Sequence, residues 1–148
     1  MKKLYKDRTT GRRYAFEMMY RFSVNNDENP KDISDSYWKS TEEESEDIRE
    51  FACTLFLGAA AGVDSNDEII KSFIREDWNY DRMGEVDRSI LRVAVHELFG
   101  GKAPFYAVVN DFVTLARKYS DEKSASLVNG ILENIRKKYN LSEDRVES

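Results

Sequence analysis

What this chain has little of excludes more function classes than any motif it carries. One cysteine in 148 residues, Cys53, rules out an internal disulfide and a thiolate cluster and points to an intracellular chain. Lying between Phe51 and Leu55 in an apolar stretch, it reads as a small core residue. A single histidine, His96, rules out a histidine-rich metal site. Four residues after Arg92, it is expected at a surface or a helix end rather than as a general base. Seven glycines and two prolines are too few for a sheet-rich fold full of tight turns. No run reaches the ~18 apolar residues of a membrane span, and "MKKLYKDRTTGRRY" lacks the apolar core of a secretion signal. A soluble, cytoplasmic protein with no membrane contact is therefore expected. Gly100-Gly101 has neither the spacing nor the following Lys-Ser/Thr of a phosphate loop, and Glu42, Glu43 and Glu44 form a contiguous, solvated acidic run. No enzyme, cofactor or metal is expected.

What remains is charge and helix. The net charge of -5 argues against a protein that coats nucleic acid indiscriminately. Its distribution is uneven: residues 1–21 carry seven Lys/Arg against two acids, and residues 22–50 three against ten. A basic arm precedes an acidic stretch.

Apolar residues recur with helical spacing almost throughout. The first helix is expected over about 10–24, with Ala15, Met18, Met19 and Phe22 as its stripe, Phe16 and Tyr20 as a second aromatic edge, and Arg13, Glu17 and Arg21 on the wet side. A loop follows, with at most a short helix near 34–39. Further helices are expected over about 45–61, from a cap at Asp64 to near Trp78, and along "VDRSILRVAVHELF", the widest apolar surface and so the central helix. Another starts after Pro104, and the last spans about 122–139. Within that last helix Asn129-Gly130 has the composition of a hairpin turn, but Ala125, Val128, Ile131, Leu132 and Ile135 keep a helical face around it. A glycine inside a helix costs about 1 kcal/mol relative to alanine, so Gly130 implies close approach of another element or of a ligand. The tail past Leu141 is polar. The fold class is all-α, about seven helices, with no internal repeat.

Two basic sets stand out. Lys2, Lys3, Lys6, Arg8, Arg12 and Arg13 lead into a helix bearing Tyr14, Phe16 and Tyr20, a mix suited to holding phosphates and stacking single-stranded bases. Arg117, Lys118 and Lys123 bracket the turn into the last helix. If that turn lies near the first helix, the sets make one groove with Asn129 near its floor.

The stretches "WNYDRMGEVDRSILRVAVHEL" and "APFYAVVNDFVTLARKYSDEKSASLVNGIL" resemble the bacterial NusB family, and Arg12, Ala15 and Met19-Tyr20 resemble its first helix. The resemblance implies an all-helical fold of two packed sub-bundles, with residues 1–148 as one RNA-binding domain, a basic arm over 1–13 and a polar tail over 141–148. It implies transcription antitermination: binding of boxA-type single-stranded RNA of ribosomal RNA operons together with NusE, a protein also of the small ribosomal subunit, and indirect contact with elongating RNA polymerase. Carried over by position, RNA would meet Lys3, Lys6, Arg8, Arg12, Arg13, Lys118, Lys123 and Asn129, and NusE would meet Tyr20, Asp81 and Asp87. A homodimer is open to the free chain. Three departures bear on this: "RTTGRR" dilutes the family's basic run, Leu127 replaces an aromatic before Val-Asn-Gly, and Lys123 replaces an acid. The alternative is a helical interaction or dimerisation module that has lost RNA binding. The length leaves no room for the catalytic domain of an RNA methyltransferase.

Overall fold

The computed structural model describes residues 2–25, 27–75 and 79–141, residue 2 by its backbone alone. Trp78, most of the polar tail, and the side chain of Lys2 lie outside the described residues. Among the described residues there is no strand. Seven α-helices follow in order: α1 Lys2–Val24, α2 Pro30–Ser36, α3 Glu46–Ala61, α4 Val63–Ser72, α5 Glu85–Gly100, α6 Phe105–Tyr119 and α7 Glu122–Tyr139.

Local chemistry sets most of their ends. Ser45 caps α3 by accepting from the Ile48 N–H at 3.3 Å, and Asp121 caps α7 through the Ser124 N–H at 2.8 Å. α2 forms inside the expected loop because Asn29 accepts from the Lys31 N–H at 2.8 Å and Pro30 presets the first turn. Gly101 stops α5 in the left-handed region at φ 76°, where a side chain would be strained. Three boundaries differ from the sequence reading. α1 starts at Lys2 rather than near Thr10, since residues 2–10 contain neither Pro nor Gly to break it. α4 ends at Ser72, with Phe73 as its C-cap. Asp64 is not a cap but a first-turn acid of α4, where the helix dipole favours it.

α5 is the central element: Ile90, Leu91, Ala94, Val95 and Leu98 are fully buried, and it packs on α1, α3, α4, α6 and α7. α1 to α3 form one sub-bundle and α4 to α7 the other. Two glycines allow close helix contacts, Gly11 within the first sub-bundle and Gly58 between the two. A Cβ on Gly11 of α1 would lie 2.4 Å from the Phe51 ring of α3, and one on Gly58 of α3 would lie 2.4 Å from Nε2 of His96 on α5. His96 is thus a packed, half-buried mid-helix residue, contrary to the expected surface or helix-end position, and burial lowers its pKa. α1 runs antiparallel to α5, with Arg12 meeting Glu97 and Ser23 meeting Arg92, and parallel to α6, with Thr9 meeting Asp111 and Phe16 meeting Tyr119. This parallel pair carries the candidate site.

Candidate nucleic-acid interface

The basic arm is the first three turns of α1. A helix turns 100° per residue, so its cations cannot all face one way. Lys3 and Lys6 are exposed. The Arg8 guanidinium lies over the Phe51 ring, 4.2 Å from its centroid.

Arg12 points inward. It is 1% exposed, donates Nε and Nη2 to the two carboxylate oxygens of Glu97 at 2.8 and 2.7 Å, and donates Nη1 to Asp111 at 2.9 Å. Thr9 adds its hydroxyl to Asp111 at 2.9 Å. Burial disfavours the guanidinium charge, but the hydrogen bonds and attraction of Glu97 and Asp111 outweigh it, so the group is held charged more firmly than a free arginine. The expected phosphate contact of Arg12 gives way to a structural one: no phosphate reaches a guanidinium closed off by two carboxylates. Arg12 instead fixes α1 on α5 and α6.

Arg13, next in sequence, is half-buried at the surface. It pairs with Glu17 at 3.0 Å and lies 4.7 Å over the Tyr14 ring, while the Tyr37 hydroxyl donates to Glu17 at 2.6 Å. One turn on, the Phe16 ring meets Tyr119 of α6 at 5.2 Å, and the Lys118 ammonium lies 5.5 Å over that same Tyr119. This contact joins the two basic sets into one strip along α1 and the end of α6. Tyr119 was missed as a site residue because it reads as the last member of an apolar stripe. Its signal was position: an aromatic ending the helix directly after Arg117-Lys118.

Lys123 is exposed in the first turn of α7, while neighbouring Arg117 is tied to Glu122 at 2.6 Å. Asn129 is exposed, but it shares a helix line with Glu122 and Glu133. Gly130, seven residues after Lys123, is the one in line with that lysine. A Cβ on Gly130 would meet nothing within 4 Å, so close packing of another element does not explain this glycine. Its backbone is open to solvent on the side of Lys123.

The three expected partner-binding residues lie on three segments, of which α1 and α5 are tied together through Ser23, which meets Ser89 and Arg92 of α5. Tyr20 is exposed on α1, two turns past Arg13 on the same line. Asp81 is exposed in a 3₁₀ turn, Tyr80–Arg82, whose Asp81 N–H is capped by Asn79. Asp87 is half-buried at the start of α5, accepting the Ser124 hydroxyl of α7 at 2.9 Å, and its other oxygen is buried without a partner. Burial therefore raises its pKa. Most of the motif around these acids locks α4 to α5. Tyr80 donates its hydroxyl to Asp67 at 2.8 Å, and Arg92 grips Asp67 with two bonds of 2.8 and 2.7 Å while also reaching Ser23.

A cleft of about 660 Å³ between α1, α3 and the end of α5 is lined by the buried Ile48, Leu55 and Ala103, by Asp7, Asp47 and Glu50, and by the cations Arg8 and Lys102.

Residues 9–137 match the NusB family model. The Anaeromyxobacter dehalogenans transcription antitermination protein NusB is 34% identical over 128 residues, 86% of this chain and 89% of that protein. The Bacillus cereus protein of the same name is 32% identical over 87% of this chain and 96% of its own length. A crystal structure of antitermination factors NusB and NusE in complex with dsRNA includes a chain that superposes with a TM-score of 0.83 at 32% identity, covering 90% of this chain and 98% of that one.

Proposed function

The chain belongs to the NusB family of transcription antitermination proteins, and from that premise we propose that it binds boxA-type single-stranded RNA jointly with NusE and so keeps transcription of ribosomal RNA operons processive. The observation that carries this reading is the Phe16–Tyr119–Lys118 contact, which sets a cation and an exposed ring of α6 against α1, three residues from Arg13. Lys3 and Lys6 extend it toward the N-terminus of α1, and Lys123 with the open backbone of Gly130 extends it along α7. Phosphates would be held by the lysines and Arg13, and a base would stack on Tyr119. NusE would dock on Tyr20 toward the other end of α1 and on the acids Asp81 and Asp87, of which Asp87 adjoins the Lys123 end of the strip through Ser124. Joined to NusE, the RNA complex would reach RNA polymerase through that partner rather than directly.

A titration of labelled boxA-like RNA and a scrambled strand, with and without NusE and at two salt concentrations, tests this. The expected result is selective tightening by NusE and a log–log salt slope of about -0.7 per phosphate neutralised. Absence of binding to either strand, with NusE present, refutes it. One observation favours a second reading, a helical interaction module without RNA: Arg12 is withdrawn from the basic set and Arg13 is partly neutralised by Glu17. In that case the free chain would use Tyr20 and its surroundings for a protein partner or a homodimer, visible by sedimentation.

A further inference from the structure

The end of the bundle where α4, α5 and α7 finish exposes rings that neither packing nor the strip accounts for, with cations beside them. Phe99 and Tyr139, 40% and 42% exposed, meet edge to face with centroids 5.0 Å apart. Phe73 stands 6.4 Å from Tyr139, with the Lys138 ammonium 5.7 Å over it. One turn earlier in α7, Arg136 covers Phe105 at 5.6 Å, and the ring beside Phe105 is Tyr106, 45% exposed. Lys137 and Lys102 are exposed.

The dipole of α7 accounts for cations in its last turn. It does not account for large rings left standing in water, and core packing does not either, since Phe99, Tyr106 and Tyr139 are outside the core. Rings interleaved with Lys and Arg are the chemistry of single-stranded nucleic acid binding: bases stack on ring faces, and phosphates sit by the cations. An edge-to-face pair suits this, because it cannot cover both faces of both rings. A basic partner would be repelled here, and a purely apolar one would bury ammonium groups without compensation. The surface is also continuous with the strip. Leu4 of α1 and Lys102 line one cleft, so the helix that carries Lys3 and Lys6 begins beside this end of the bundle.

We propose that the Phe99–Tyr139 end is a second contact stretch for single-stranded RNA, holding nucleotides that flank the strand bound along α1 and α6. This rests on the RNA-binding reading above and extends the RNA site well beyond it. The lysines supply phosphate attraction, and Phe99 and Tyr139 supply stacking.

The test compares, on the full chain with NusE, a short boxA-like strand with the same strand extended by about eight nucleotides at either end, the extension carrying bases or being abasic. The expected result is that a base-bearing extension at one end tightens binding about fivefold or more, and that the abasic extension loses most of this gain. Phe99→Ala with Tyr139→Ala should abolish the gain and leave the short strand's affinity unchanged. The abasic comparison needs no variant, so it stands even if the double variant folds poorly. Equal binding of short and extended strands overturns this inference while leaving the RNA-binding reading in place. Failure of all strands to bind overturns both. A monomer–dimer equilibrium in sedimentation that the double variant abolishes, with no extension effect, reassigns the rings to a second copy of the chain.

Discussion

Removing Arg12 should unfold the protein more readily without touching RNA contacts, the reverse of what a basic arm suggests. Arg12→Ala leaves the Glu97 carboxylate, 8% exposed, without the two hydrogen bonds that hold its charge in the interior. Breaking a buried pair from one side costs about 3–5 kcal/mol. Asp111 is less affected, since it is partly solvated and keeps the Thr9 hydroxyl. For a chain of this size each kcal/mol lowers Tm by about 2–4 °C, so the loss should be about 10 °C. Urea unfolding followed by far-UV circular dichroism should show a lower midpoint with an unchanged slope. Arg12→Met combined with Glu97→Met removes both charges and should recover most of the loss. RNA affinity of Arg12→Ala, measured at low temperature where the variant is fully folded, should stay within about twofold, because the guanidinium does not reach the strip. A variant that keeps its stability within about 1 kcal/mol and loses RNA binding tenfold would place Arg12 at the surface and refute the clasp.

Further expectations concern the strip and the close contacts. Lys118→Ala with Tyr119→Ala should weaken boxA-like RNA at least tenfold with helical content unchanged, as read by fluorescence anisotropy; an unaltered affinity removes the cluster from the site. Gly130→Ala fills open space inside a helix and should raise stability by about 0.5–1 kcal/mol, while RNA binding falls if a strand approaches that backbone. His96 is the only histidine, so its ring protons can be followed by NMR without assignment, and they should titrate below the usual 6.5. A folded pKa below the unfolded one contributes stability above pH ~6.5 that is lost as pH falls through the folded value. His96→Gln should flatten that slope; a titration midpoint at or above 6.5 would contradict the packing against Gly58.

Periodicity disclosed the helices because burying one face of each is what organises this fold. Ile90, Leu91, Ala94, Val95 and Leu98 of the α5 stripe are fully buried in the structure, and Ser89 and Val93 join them, whereas Phe99 at the end of the stripe is exposed. The direction of individual cations was not legible. Arg8, Arg12 and Arg13 look equivalent in sequence, yet they end on a ring, in a clasp and beside Glu17, because each depends on partners far away in the chain. Gly130 and Gly58 failed in opposite ways. The glycine that drew attention has nothing near it, and the one that passed unremarked is where two helices touch. Glycine in a helix signals an unusual environment, but composition cannot tell crowding from openness. Asp87 had the look of a surface acid, but it faces Ser124 on a helix 37 residues later.

The Arg12 clasp has a consequence in time. Its partners lie 85 and 99 residues further along the chain. At about 5–20 residues per second, a ribosome that has just made Arg12 needs roughly 5–20 s more to supply Asp111. Through that interval the cations emerge first, amid ribosomal RNA, on a helix with nothing to aim it. On the RNA-binding reading proposed above, selective recognition would begin only near the end of synthesis, when α5 and α6 arrive to orient the strip. Any nascent or shortened chain that ends before α6 would carry the charge without the direction.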